Sequence, residues 1–173
     1  MSLRTYKNKR DFEKSPEPAA RKISSDNKLI FVVQRHKASR LHYDFRLEGD
    51  GVLKSWAVPK GPSMNPADKR LAMMVEDHPF DYKDFKGVIP KGNYGAGIVE
   101  IWDRGEYIPL NHEAEPISEK DFLKDLKSGS IKFTLKGRKL KGSFALVKLK
   151  GAEENAWLLI KHNDKYARDT EYN

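Results

Sequence analysis

The sequence contains no cysteine. That excludes disulfides, thiolate nucleophiles and cysteine-ligated zinc, and leaves histidine and carboxylates to hold any transition metal. No apolar stretch approaches the roughly 20 residues a membrane span needs. Nor does the N-terminus show an apolar segment followed by a small-residue cleavage site. A soluble, cytoplasmic chain with no membrane partner is the expectation. Internal repeats are also lacking. Acidic residues are in deficit, 25 against 33 Lys and Arg for a formal charge of +8, a balance that favours polyanionic partners, nucleic acid first. At 173 residues the chain is long enough for one well-cored domain and needs no second.

Residues 1–28 hold eight Lys or Arg against four Asp or Glu, half of the whole excess. With Ser15-Pro16-Glu17-Pro18 and few aliphatic residues, this segment reads as an extended basic arm, either mobile or laid across a charged surface. From Leu29 onward short apolar runs recur: Leu29 to Gln34, Leu41 to Glu48, Val52 to Val58, Leu71 to Glu76, Gly97 to Trp102, Ile131 to Leu135, Leu140 to Leu149 and Ala156 to Lys161. Gly49-Asp50-Gly51 is a hairpin signal, and Asp103-Arg104-Gly105 and Gly137-Arg138 read as turns of the same kind. Strands joined by short polar turns point to a mainly β fold, a compact antiparallel barrel with one or two short helices. The convincing helix starts at Ser118 and ends at Gly129, with Phe122, Leu123 and Leu126 on its apolar side. Gly87 to Gly97 is glycine-rich but lacks the Gly-Lys-Ser/Thr ending of a nucleotide phosphate loop, so it reads as a structural turn.

The chemistry concentrates in one run. Leu41, Tyr43, Phe45 and Leu47 alternate with His42, Asp44 and Arg46, the pattern of a half-buried strand with one apolar and one functional face. His36 lies across a short link, where a turn can return it to that functional face. Two imidazoles and a carboxylate suit Mn²⁺, Zn²⁺ or Co²⁺. A strand-borne His-x-Asp also occurs as a solvated hydrogen-bonding pair, but Arg46 two residues on adds the planar cation that a metal-bound phosphate needs. Glu76-Asp77-His78-Pro79-Phe80-Asp81-Tyr82 reads as a loop bordering the site, with His78 extended before proline. His78 and Tyr82 can both donate to phosphate, and His78 can alternatively protonate a leaving oxygen. His112 and His162 read as surface residues. Trp56, Trp102 and Trp157 read as core rather than base-stacking residues.

Taken together, Phe31-Val32-Val33-Gln34-Arg35-His36, Arg40 through Leu47, Leu53-Lys54-Ser55-Trp56-Ala57-Val58-Pro59-Lys60-Gly61-Pro62, Glu76-Asp77-His78-Pro79 and Gly87 through Gly95 resemble the 3′-phosphoesterase module of bacterial DNA ligase D. The resemblance runs from about Lys9 to about Tyr166. It implies a barrel over 29–166, an N-terminal arm over 1–28 forming part of an active-site lid, and a C-terminal tail over 167–173. It implies an enzyme of non-homologous end joining that trims the 3′ ends of DNA or RNA-DNA primer-templates. A phosphodiesterase step removes a terminal ribonucleoside, and a phosphomonoesterase step then leaves a 3′-hydroxyl. By the same match His36, His42 and Asp44 hold Mn²⁺, with Zn²⁺ or Co²⁺ as substitutes, while Arg46, His78 and Tyr82 contact the scissile phosphate. Arg10, Asp11 and Glu17 fold over the site and favour the diesterase step. Glu76, Gln34 and Lys60 are further substrate-binding candidates. A DNA ligase and a polymerase supplied in trans are the implied protein partners. The competing reading is a non-catalytic barrel that grips nucleic-acid ends around a structural metal.

Overall fold

Asp50 and Gly51 both adopt positive φ, 54° and 73°, the pairing that lets two residues turn a right-twisted strand back on itself. They join β2 (Leu41–Gly49) to β3 (Val52–Val58), with Gly49 opposite Val52. The computed structural model describes residues 3–12, 14–18, 28–151 and 153–169. Part of the arm (19–27) and of the tail (170–173) therefore lies outside the described residues. In chain order the other elements are α1 (Leu3–Asn8), β1 (Ile30–Lys37), β4 (Lys69–Pro79), a 3-10 helix (Phe80–Asp84), β5 (Gly87–Ile89), β6 (Gly97–Leu110), α2 (Glu119–Ser128), β7 (Ser130–Lys136), β8 (Lys141–Lys148) and β9 (Ala156–Lys161).

Every pairing is antiparallel. The order β1-β2-β3-β4-β9-β8-β7-β6 closes through β1 against β6 into an eight-stranded barrel, and β5 adds to the first part of β6. This is the antiparallel barrel expected from the strand pattern. Its lumen is filled by side chains, as a barrel of this size requires: Phe31, Phe45, Trp56, Phe133, Phe144 and Trp157 belong to one buried cluster. α2 plugs the end where β2 turns into β3, with Phe122 and Leu126 in the same cluster. Its caps are those read from sequence: Ser118 Oγ accepts from Asp121 N, and Gly129 takes a left-handed φ of 92°. Among the described residues no helix is long and apolar enough to cross a membrane.

A second apolar cluster lies on the outside of the same wall. Val32, Leu53 and Val99 from the barrel meet Tyr6 of α1 and Phe80, Tyr82 and Phe85 around the 3-10 helix. The described arm is therefore not simply extended: it begins with a helix whose Tyr6 is fully buried. Six residues are too few to stand as a helix unaided, so tertiary packing sets this one.

Two more readings need correction. The stretch Asp103-Arg104-Gly105 is not a turn but the middle of a 14-residue strand, β6. Its turn-like residues act across the sheet. The Asp103 carboxylate accepts from the amides of Arg138, Lys139 and Leu140 and so closes the β7–β8 turn. Gly105 is needed because a Cβ there would collide with the Lys136 carbonyl oxygen. The second correction concerns Glu76 to Pro79, which lies within β4 rather than in a loop. Pro79 is the strand's last residue, opposite Val52.

Candidate metal centre and phosphate site

β1 and β2 pair so that His36 faces His42, Gln34 faces Asp44 and Val32 faces Arg46. Residues at these positions project from the outer face of the barrel wall, because the alternate set, Phe31, Val33, Phe45 and Leu47, fills the lumen. His36 Nδ1 lies 3.6 Å from Asp44 Oδ2, and His42 Nε2 lies 3.3 Å from Asp44 Oδ1. One ligand atom from each of the three falls within 4.8 Å of the others, compatible with sharing one ion, since ligands about 2.1 Å from a metal stand about 3 to 4 Å apart.

The donor set itself argues for a cation. His36 Nε2 donates to the Gly95 carbonyl at 2.7 Å, so in the neutral ring Nδ1 carries a bare lone pair beside the Asp44 carboxylate. Two electron-rich atoms so placed need a proton or a metal between them. An outer hydrogen bond that fixes the tautomer in this way is the usual support of a metal-ligating histidine. Burial opposes ionisation of Asp44, yet the His36 and His42 imidazoles beside it and the Arg46 charge hold its carboxyl well below the usual carboxylate range. His42 is pushed above its ordinary value, chiefly by its hydrogen bond to Asp44.

Arg46 supplies the second half of the site. It is 3% exposed, its Nε donates to Gln34 Oε1 at 2.7 Å, and its Nη2 stands 3.6 Å from Asp44 Oδ2. Nη1 is buried and finds no hydrogen-bond partner among the described residues. A buried guanidinium edge without an acceptor is costly, and an anion bound beside the metal would satisfy it. The ring of Tyr82 lies under the guanidinium at 4.8 Å. Gln34 locks the assembly from behind by donating to the carbonyls of Tyr82 and Phe85.

β4 brings the next pair. A register shift against β3 between Leu53 and Ser55 lets the neighbours Val75 and Glu76 both line the cavity, which a regular strand would forbid. His78 Nδ1 donates to the Glu76 carbonyl at 3.0 Å and Nε2 accepts from Arg10 Nη2 at 3.2 Å. Burial, then the charges of Arg46 and Arg10, push this imidazole well below its ordinary value, so it is neutral at pH 7. The arm closes the remaining side. Arg10 Nε donates to Glu17 Oε2 at 2.8 Å, and the Tyr82 hydroxyl donates to the same oxygen at 2.7 Å. Ser15 Oγ donates to Glu17 Oε1. Burial pushes the Tyr82 hydroxyl well above its ordinary value, so it remains a donor.

His36, His42, Asp44, Arg46, Glu76, His78, Tyr82, Arg10 and Glu17 thus surround one cavity of about 330 Å³. Three candidates do not line it. Gln34 sits behind Arg46, fully buried. Asp11 is exposed and 4.0 Å from Lys14. Lys60 is exposed beside a separate depression that it shares with Asp68 and Arg70. Two cavity-mouth residues were missed by sequence reasoning: Tyr94 lines the cavity, and Lys9 donates to both oxygens of Glu76 and to the Tyr94 hydroxyl, each at 3.2 Å.

A family model described as the DNA Ligase D 3′-phosphoesterase domain matches residues 34–148. The chain belongs to this family. It is 51% identical over 170 residues to the multifunctional non-homologous end joining protein LigD of Pseudomonas aeruginosa, covering 96% of this chain and 19% of that protein. The protein of the same name from Mycolicibacterium smegmatis is 45% identical over 172 residues, covering 98% of this chain and 22% of the relative. That of Mycobacterium bovis is 42% identical over 158 residues, covering 90% and 19%. The chain therefore spans about a fifth of the length of the curated relatives it matches.

Proposed function

We propose that the chain is a Mn²⁺-dependent 3′-end-processing hydrolase of DNA end joining, acting on DNA or RNA-DNA primer-template ends in a phosphodiesterase and then a phosphomonoesterase step. The observation that carries this reading is the unpaired Nη1 of the buried Arg46 beside the His36, His42 and Asp44 group. It is an anion-binding edge next to a cation-binding one. Membership of a phosphoesterase family and likeness to proteins named for non-homologous end joining support the same reading.

When bound by His36, His42 and Asp44, Mn²⁺, or Zn²⁺ or Co²⁺ in its place, supplies a Lewis acid for the phosphate and acidifies a water. The protein does the rest. Arg46 Nη1 takes a phosphate oxygen and shares the charge that grows on it. His78 offers a lone pair at Nε2 in the free chain, so it gains a proton only when phosphate charge offsets Arg10 and Arg46. That couples its protonation to substrate. Tyr82 supports the guanidinium and positions Glu17, and Glu17 in turn orients Arg10 over the end of the strand. A 2′-hydroxyl at the terminus is the feature that separates RNA from DNA there. A ligase and a polymerase acting in trans, in the cytoplasm, are the partners this reading calls for.

The test is cleavage of a labelled primer-template ending in one ribonucleotide, with Mn²⁺ and with a chelator control. A shortened product ending in a 3′-phosphate or 3′-hydroxyl, lost on chelation, is expected. Salt-sensitive binding without product would instead indicate an end-gripping scaffold. Equal turnover of nitrophenyl phosphate would indicate a general phosphatase.

A further inference from the structure

The tyrosines differ widely in exposure. Tyr6, Tyr82 and Tyr107 are 0 to 3% exposed, whereas Tyr94 is 50% exposed while lining the cavity of the metal group. It sits in the loop between β5 and β6, one residue before Gly95, whose carbonyl holds His36 Nε2 at 2.7 Å. Consecutive Cα atoms are about 3.8 Å apart, so the ring is anchored within a nucleotide's reach of the metal ligands. Two cations of the arm attend it, Lys9 Nζ at 4.7 Å and Arg10 Cζ at 5.4 Å from the ring centroid. Lys9 also fixes the hydroxyl at 3.2 Å while gripping Glu76. The ring is therefore held at its polar end, yet half open to solvent. Val88 and Ile98, the exposed cross-strand pair of the same hairpin, alternate with the buried Ile89 and Val99. They face away from the cavity and take no part.

An exposed, immobilised aromatic ring beside a phosphate site is a surface on which a base can stack, whatever its sequence. Building on the phosphoesterase reading, we infer that Tyr94 is the stacking platform for the base of the 3′-terminal nucleoside, the one released in the diester step. The arm that flanks the ring is the arm assigned to that step, and its two cations polarise the ring on which the base lies. The enzyme then grips the leaving nucleoside by its base, while Arg46 holds the phosphate that stays on the primer.

A primer-template carrying 2-aminopurine as its terminal ribonucleoside tests this in two arms. In a binding titration with the full chain, the fluorescence is quenched by the wild type and by Tyr94→Phe, and the quenching is lost with Tyr94→Leu. In turnover, Tyr94→Leu raises KM for the diester step roughly tenfold, the lower end of base-stacking effects, and more than it raises KM for the monoester step. Equal quenching by the wild type and Tyr94→Leu, no quenching by either, or an equal rise in both KM values overturns the inference. Failure of the phosphoesterase reading looks different: the wild type with Mn²⁺ leaves both substrates uncut, and the quenching arm still reports on Tyr94.

Discussion

The two faces of β2 are buried to nearly the same degree by opposite chemistry. Toward the lumen, Phe45 and Leu47 are wholly buried among other apolar side chains. Toward the outside, Asp44, Arg46 and Glu48 are 7%, 3% and 1% exposed, with Asp44 and Arg46 sharing their cavity with residues of the arm, β4 and the 3-10 helix. Among the described residues the core leaves the indole N–H groups of Trp56 and Trp157 unpaired, a cost a neutral group can bear. On the outer face the atom left without a partner among the described residues is Nη1 of the charged Arg46 guanidinium. Burial on one face therefore holds the fold, and burial on the other holds a binding demand in place.

One substitution on each face should separate these purposes. Asp44→Asn keeps the shape and removes the charge that faces Arg46 and that a bound metal would share. Both phosphoesterase steps should fall on the order of 10³-fold or more, the upper range for losing one preorganised charge-stabilising group. Phe45→Ala opens the packed lumen, where such truncations cost about 3–5 kcal/mol, and should lower the melting midpoint more than Asp44→Asn does. Turnover assays and thermal melts on both variants read the difference. An Asp44→Asn protein with normal activity, or a Phe45→Ala protein with the wild-type melting point, erases the distinction.

The same contrast can be sharpened within the site. Residues of the barrel wall should serve both steps, and residues of the arm one. Arg10→Ala and Glu17→Ala are expected to slow the diester step by about 10- to 100-fold, as a lost charge-assisted contact would, and to slow the monoester step less. Substrates ending in a ribonucleotide and in a 3′-phosphate measure the two rates separately. Equal losses in both would refute the assignment of the arm.

Much of this was legible in the sequence because it is local. A period of two put His42, Asp44 and Arg46 on one face of β2, and a six-residue spacing put His36 opposite His42. The caps of α2 could be read for the same reason. What depends on contacts through space could not. α1 has too few residues and no acidic first turn, so nothing local predicted that Tyr6 would pack on His78 and Tyr82, with ring centroids 4.9 and 6.0 Å away. Asp103 and Gly105 look like a turn because the turn they shape lies on another strand. Tyr94 and Lys9 come together across 85 residues, a distance no periodicity spans.

The smallest effect is also the one that isolates the outer face, because its ionisable groups give it a pH dependence that the apolar lumen lacks. In the folded chain His78 lies well below its ordinary value of 6.5, first through burial and then through Arg46 and Arg10. Below pH 6.5 the unfolded chain thus binds a proton that the folded one refuses, and stability falls as pH falls, by at most about 1.4 kcal/mol per pH unit for one group. His162, shifted down by burial, adds in the same direction. His42 has the opposite sign. Its raised value makes its contribution full below 6.5 and lost as pH rises through the folded value. With a chelator present, stability should therefore peak near pH 6.5 and decline to either side. His78→Gln should flatten the acid limb and leave the alkaline limb in place. Below pH 3.8 a further loss enters as the unfolded chain protonates Asp44 before the folded chain does. Denaturant midpoints from pH 5 to 8 on both proteins decide it, and an unchanged acid limb in His78→Gln would show that the buried imidazole is not the group that titrates.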